Sequence, residues 1–175
     1  MDKNDIKEST EINNSKNNIS FREAVRSDSA LVLSFIRALA EHHELGDDVE
    51  ASEEDIIEWI FEKKKAEVIF CLCDGVEVGF AVFYHSFSTM LGRCGIHLED
   101  LYVMPEYRRL GCGKALLKHL AKITIERNCR RLEWSCHDQN KHAIAFYLAL
   151  GALPMYDWTT YRLSDDALEK LICLC

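Results

Sequence analysis

Leu98-Glu99-Asp100-Leu101-Tyr102-Val103-Met104-Pro105, followed after Glu106-Tyr107 by Arg108-Arg109-Leu110-Gly111-Cys112-Gly113-Lys114, is the stretch that decides the fold. Residues 96–103 read as a buried strand, and Pro105, which has no N–H to give a ladder, ends it. From Gly111 to Arg127, the positions Ala115, Leu116, Leu120, Ile123 and Thr124 fall on one helical stripe. Residues 132–136 are again strand-like. Strand, helix and strand in that order predict a right-handed parallel crossover.

Upstream, residues 67–73 and 76–84 are β-branched and aromatic runs separated by Asp74-Gly75, the pair that suits a type I′ hairpin turn. A Gly-containing loop is expected over residues 86–95. Residues 19–25 suit a first strand. Arg26-Ser27-Asp28-Ser29 then caps an amphipathic helix with apolar positions 31, 32, 35, 36 and 39 that runs to Gly46. Ser52 and Asp55 have capping-box spacing before Ile56, Ile57, Ile60 and Phe61, which predicts a second helix. Downstream, Asn140 caps a helix carrying Ile144, Tyr147 and Leu148 that Gly151 stops. Residues 156–163 are expected to form a last strand before a short terminal helix. The sum is one three-layer α/β domain, a mixed and mostly antiparallel sheet flanked by helices, over residues 19–175. Residues 1–18 hold five Asn and three hydrophobic residues, too few to offset the entropy of ordering them, so a disordered tail is expected there.

Charge is segregated along the chain. The net charge is −8, which disfavours nucleic acid as a partner. Yet residues 106–131 carry eight basic side chains against two acids, and residues 41–62 carry ten acids with no Lys or Arg. That polarity suits an anionic ligand at one pole and a polycation at the other, although solvated helix faces account for part of it. No apolar run reaches the ~18 residues that span a bilayer. The eight cysteines form no C-x-x-C, and the histidines have no H-x-x-x-H spacing, so neither a disulfide framework nor a metal site is expected. Residues 1–18 also lack the apolar segment of a secretory signal, so free, mostly buried thiols in a reducing cytoplasm are expected.

Gly111-Cys112-Gly113 opens a helix directly after a strand. A helix N-terminus offers about four unpaired N–H donors and roughly half a positive charge, and glycines let backbone come close to an anion, so phosphate is the natural guest. A P-loop is excluded because Arg108 stands where Gly belongs and Ala115 where Ser or Thr belongs. A dinucleotide fingerprint is excluded because Leu116 replaces its third Gly.

Arg108-x-x-Gly111-x-Gly113 after this strand resembles the acetyl-CoA motif of the GNAT N-acetyltransferase superfamily. Asn140 to Gly151, with Phe146-Tyr147 and its closing Leu-Gly-Ala, is similar to that superfamily's second cofactor segment. The likeness covers residues 19–172. Leu98-Glu99-Asp100 and Ala145-Phe146-Tyr147 resemble the diamine (spermidine/spermine) and thialysine acetyltransferases in particular. The resemblance implies that Leu101, Tyr102 and Val103 bracket the acetyl-pantetheine arm. It implies further that Arg109, Leu110, Gly111, Cys112, Gly113 and Lys114 wrap the pyrophosphate, with Arg108 also in the cofactor site, and that Asn140, Lys141 and His142 complete the acetyl-CoA site. Tyr147 would be the acid. Glu99, Asp100, Glu133, Trp134 and Ser135 would meet the amine, with a first-helix pair that falls here on His42 and His43, where the family's better-known members carry aromatic and acidic residues. Homodimers are also implied.

These residue types suit the chemistry. A primary amine is mostly protonated at neutral pH and cannot attack a thioester, so a carboxylate such as Glu99 must collect its proton. Strand N–H groups near Leu101 and Tyr102 suit the oxyanion, and a Tyr147 hydroxyl suits the departing thiolate. An acyl-cysteine on Cys112 or Cys136 is disfavoured because neither has an evident activating base. The expected reaction is acetyl transfer from acetyl-CoA to a small polyamine, diamine or lysine-like amine. The alternatives are a protein or peptide N-acetyltransferase and a non-catalytic acetyl-CoA sensor.

Overall fold

In a computed structural model, which describes residues 17–173, the Asp74-Gly75 turn has positive φ at both residues (52° and 87°), as a type I′ turn requires. It joins β2 (Glu67–Cys73) to β3 (Val76–Ser88), and β4 (Arg93–Val103) returns antiparallel along β3. β1 (Ile19–Glu23) pairs antiparallel with β2, and β5 (Leu132–Trp134) pairs parallel with β4, so the order is β1-β2-β3-β4-β5. The parallel crossover is therefore present, carried by α3 (Cys112–Glu126).

Alternation along these strands makes two buried faces. On one, Phe35 of α1 (Ser29–His42) packs on Phe80 with ring centroids 5.4 Å apart and on Phe70 and Tyr102 at 6.0 Å each. Val32, Leu33, Val68, Val82 and Ile56 of α2 (Glu53–Ile56) fill the space around it. On the other, Leu116, Leu117 and Leu120 of α3 lie against β2, β3 and β4. Helix, sheet and helix are the three expected layers. Arg22 ties their edge, donating to Asp28 (2.7 Å) and Glu77 (2.8 Å) over the Phe70 ring. Asp28 is thereby held below the usual carboxylate range.

The chain divides into two compact units, Met1–Ser135 and Cys136–Cys175. The first holds the whole sheet with α1, α2 and α3. The second holds α4 (Lys141–Ala149), capped by Asn140 whose Oδ1 accepts from Ala143 N at 3.1 Å, and α5 (Asp166–Ile172).

Several expectations are corrected. The strand expected at residues 156–163 does not form; its Tyr156, Trp158 and Tyr161 are exposed and find no neighbouring strand among the described residues. The expected loop at 86–95 is mostly hairpin, because β3 and β4 stay paired out to Ser88 and Arg93. α1 stops at His42, since Glu44 takes a positive φ, and not at Gly46. α2 is a single α-turn that widens into a π-helical turn at Ile57–Glu62. The disordered tail falls outside the described residues except at its end, where Asn18 N donates to Asp74 and belongs to the hairpin. Cys94 and Cys173 are exposed, whereas Cys71, Cys73, Cys112 and Cys129 are buried as expected.

Gly79 sits opposite Val103, where a Cβ would lie 2.4 Å from the Tyr102 carbonyl oxygen. Backbone cannot yield there as a flexible side chain can. Gly79→Ala is expected to destabilise the protein by about 1–3 kcal/mol, read as a lower urea midpoint with unchanged slope.

Candidate active site

A regular strand sends Glu99 and Asp100 to opposite faces. Here β4 carries a bulge: Asp100 faces Val82 and Leu98 faces Phe83, which leaves Glu99 without an opposite residue. Before the bulge, His97 opposes Tyr84; after it, Tyr102 joins the α1-side core. The extra residue thus brings Glu99 and Asp100 to the same face as His97 and Tyr84. Tyr84 stacks on His97 with ring centroids 5.0 Å apart, and His97 Nε2 lies 3.8 Å from Glu99 Oε2. Burial, then the charge of Glu99, pushes the Asp100 carboxyl up to about 6. The same two causes raise the Tyr84 hydroxyl. Glu99 itself reaches into solvent.

β5 continues this surface. Glu133 opposes His97 and pairs with Arg131 at 2.6 Å. Trp134 opposes Leu98 and so belongs to the other face, separating it from Glu133 and Glu99. Ser135, exposed, ends the first unit. The ladder between β4 and β5 stops at Leu98 and Trp134. Beyond that point the β4 edge at Leu101, Tyr102 and Val103 has no strand on its far side among the described residues.

The chain then turns through Arg109, at φ 63°, and Gly111, at φ 96°, which is the left-handed N-cap of α3. A side chain at Gly111 would be strained there. Arg109, Leu110, Gly111 and Lys114 are exposed, Gly113 is half-buried and Cys112 is buried. Arg108 turns inward. Its Nε donates to Val103 O (2.9 Å), its guanidinium lies 5.7 Å from the Tyr102 ring centroid, and its Nη1 is 3.5 Å from His42 Nε2. Burial, Arg108 and His43 together lower the His42 pKa. The candidate amine-binding pair His42-His43 thus adjoins the candidate cofactor loop. The open strand edge, the glycine turn and the exposed cations suit a polyanion with an extended arm.

In the second unit, Asn140 uses its side chain to cap α4, and Lys141 and His142 are exposed in the first turn. Tyr147 is half-buried, tilted against Phe146 at 5.4 Å between ring centroids. Burial, then Cys136, pushes its hydroxyl up to about 12, so it stays protonated at neutral pH. Sequence reasoning passed over His97 and Tyr84. The i, i+2 spacing of His97 and Glu99 on a strand was the available signal.

The mixed sheet and the helix that opens at Gly111 belong to an N-acetyltransferase. Residues 33–152 match the family model described as Acetyltransferase (GNAT) family. Thialysine N-epsilon-acetyltransferase of Bos taurus is 34% identical over 169 residues, covering 87% of this chain and 96% of that protein. Spermidine/spermine N(1)-acetyltransferase-like protein 1 of Homo sapiens is 28% identical over 160 residues, 84% of this chain and 23% of that protein. An integron cassette protein structure from V. cholerae superposes with a TM-score of 0.73 at 29% identity, covering 88% of this chain and 97% of that one. The chain belongs to the GNAT acetyltransferase family, in the branch of the thialysine and spermidine/spermine enzymes.

Asp100 yields a pH prediction. Its folded pKa is raised, so the folded protein binds the extra proton: the contribution of Asp100 to stability is fully present below about pH 4 and is lost as pH climbs through about 6. The loss is on the order of 3 kcal/mol. Asp100→Asn cannot titrate. The stability difference, variant minus parent, should therefore grow between pH 4 and 6 and level off above, measured by urea unfolding at each pH; a flat difference would place Asp100 among ordinary carboxyls.

Proposed function

We propose that this acetyltransferase transfers the acetyl group of acetyl-CoA directly to a primary amine of a small polyamine, diamine or lysine-like molecule. The bulge that sets Glu99 and Asp100 on one face, just before an open strand edge and the Gly111 helix start, carries this reading. Two carboxylates attract an ammonium, and Glu99 takes its proton. The free amine attacks the thioester while strand N–H groups at Leu101 to Val103 hold the oxyanion and the arm. Arg109 and Lys114 match the pyrophosphate. Tyr147 protonates the leaving thiolate; with its hydroxyl pKa at about 12, the transfer is coupled to C–S cleavage, as negative charge develops on sulfur. The acids at residues 41–62 favour a polycation over peptides in general. Buried free thiols fit a reducing cytoplasm.

Homodimerisation is part of this reading. Leu153, Met155, Tyr156, Trp158 and Tyr161 of the second unit are all at least 66% exposed, an apolar stretch of the kind that associates with another subunit. Light scattering at micromolar concentration is expected to give a mass near twice 20.2 kDa. A single-chain mass would remove the dimer.

The central test is turnover of acetyl-CoA with spermidine, spermine, thialysine and lysine. Tyr147→Phe should keep the fold and CoA binding while lowering kcat about 10²-fold. Equal turnover by the variant removes Tyr147 as the acid. Tight acetyl-CoA binding without acetylation of any of these amines turns the reading to a protein substrate or a sensor.

A further inference from the structure

We propose that His97 is the proton relay of this site, carrying to solvent the proton that Glu99 takes from the amine. The inference rests on the acetyl-transfer reading above. Acetylation of an ammonium converts R–NH3⁺ and a thioester into a neutral amide, a thiol and one proton. A C–N bond forms, a C–S bond breaks and one amine proton ends on sulfur. The other must leave the site in every cycle. Glu99 is placed to receive it but not to keep it, because a protonated Glu99 cannot serve the next amine.

Among the described residues, His97 is the imidazole within ion-pair reach of Glu99, with Nε2 3.8 Å from Oε2. Two residues earlier on the same strand and on the same face, it lies farther from the Leu101 to Val103 edge, by about 6–7 Å along the strand. It therefore acts through Glu99 and not on the reacting atoms. The face-to-face Tyr84 ring at 5.0 Å fixes the imidazole plane. Its side chain keeps 25% of its surface exposed, so the ring meets water. Imidazole suits the task because it accepts on one nitrogen while releasing from the other, and it changes charge in the neutral range.

The groups around His97 are mostly acidic. From β3 the facing group is Tyr84, from β4 Glu99 and Asp100, and from β5 Glu133 with its Arg131 partner. Three of these five are carboxylates, and the one cation is already paired. Each transfer is a simple hop: the proton moves from the ammonium to Glu99, from Glu99 to Nε2, and Nδ1 releases one to water. Glu99 ends as it began, and His97, left as the other neutral tautomer, regains its starting form by exchanging its ring protons with water.

The test is the pH dependence of kcat for His97→Gln, which keeps a polar side chain but cannot carry a proton, beside Glu99→Gln and the double variant. His97→Gln is expected to lower kcat about tenfold near neutral pH, with KM for acetyl-CoA unchanged, and to flatten the limb of the profile that the parent shows there. Added imidazole should restore part of the rate. In the Glu99→Gln background the His97 change should bring no further loss, since both serve one path. A His97→Gln profile that matches the parent overturns the relay. So does a loss that is fully additive with Glu99→Gln, or one that imidazole leaves untouched. If the parent turns over none of the amines, the underlying reading fails together with the relay; turnover with an indifferent His97 removes the relay alone.

Discussion

One extra residue in β4 governs the geometry of the site. Without the bulge opposite Val82 and Phe83, Asp100 would point toward the α3 layer and Tyr102 would leave the Phe35 cluster. The core on both sides of the sheet therefore enforces the bulge: Leu98 must stay with the α3 face and Tyr102 with the α1 face. Three residues separate them, and in a regular strand that spacing would put both on one face. Those three positions contain the two carboxylates. Hydrophobic packing thus holds two acids side by side, and the Asp100 carboxyl is raised by its burial there and then by the charge of Glu99.

The same strand supplies the second half of the site by losing a neighbour. β5 is only three residues long and leaves β4 after Leu98, while β3 follows β4 to Val103. One edge of β4 is sealed and the other is open where the chain prepares to turn. Arg108 secures that turn from inside, binding the Val103 carbonyl and leaning on Tyr102. This guanidinium is occupied by backbone, whereas Arg109 and Lys114 are exposed beside Gly111, which is why the proposed pyrophosphate contacts are assigned to them. Gly79 lets β3 approach this exit closely, so the open edge is backed by rigid sheet.

Much of this could be read from the chain. Asp74-Gly75, the capping box at Ser52 and the Gly111 helix start depend on local rules, and each appears where those rules place it. The parallel crossover followed from element order. Errors came where tertiary context decides. Residues 156–163 alternate apolar and polar side chains like a strand, but a strand needs a partner, and none is present among the described residues. The hairpin arms outlast the Gly-containing segment because pairing between β3 and β4 tolerates Gly95. Period-two alternation cannot encode the bulge, so the grouping of His97 and Tyr84 with Glu99 is visible only in the folded strand. The contact of His42 with Arg108 is likewise long-range, and spacing along the chain does not encode it.

The thiols bear on which chemical route is open. An acyl-cysteine route needs a thiolate that the thioester can reach. Cys112 lies in the helix start where pyrophosphate is proposed to bind, yet it is 1% exposed, and its neighbour Cys71 has its thiol pushed up to about 12 by burial and by Cys112. Cys136 is more accessible, but burial and Asp138 raise its pKa as well. Both candidates are thus kept in the unreactive thiol form or kept out of reach, and the buried sulfur atoms behind Gly111 serve as core. The two carboxylates on the bulged strand differ from each other: Glu99 reaches into solvent, whereas the half-buried Asp100 is pushed up to about 6 by burial and then by Glu99. Neither thiol is suited to carry an acyl group, which supports the direct attack on the thioester proposed above.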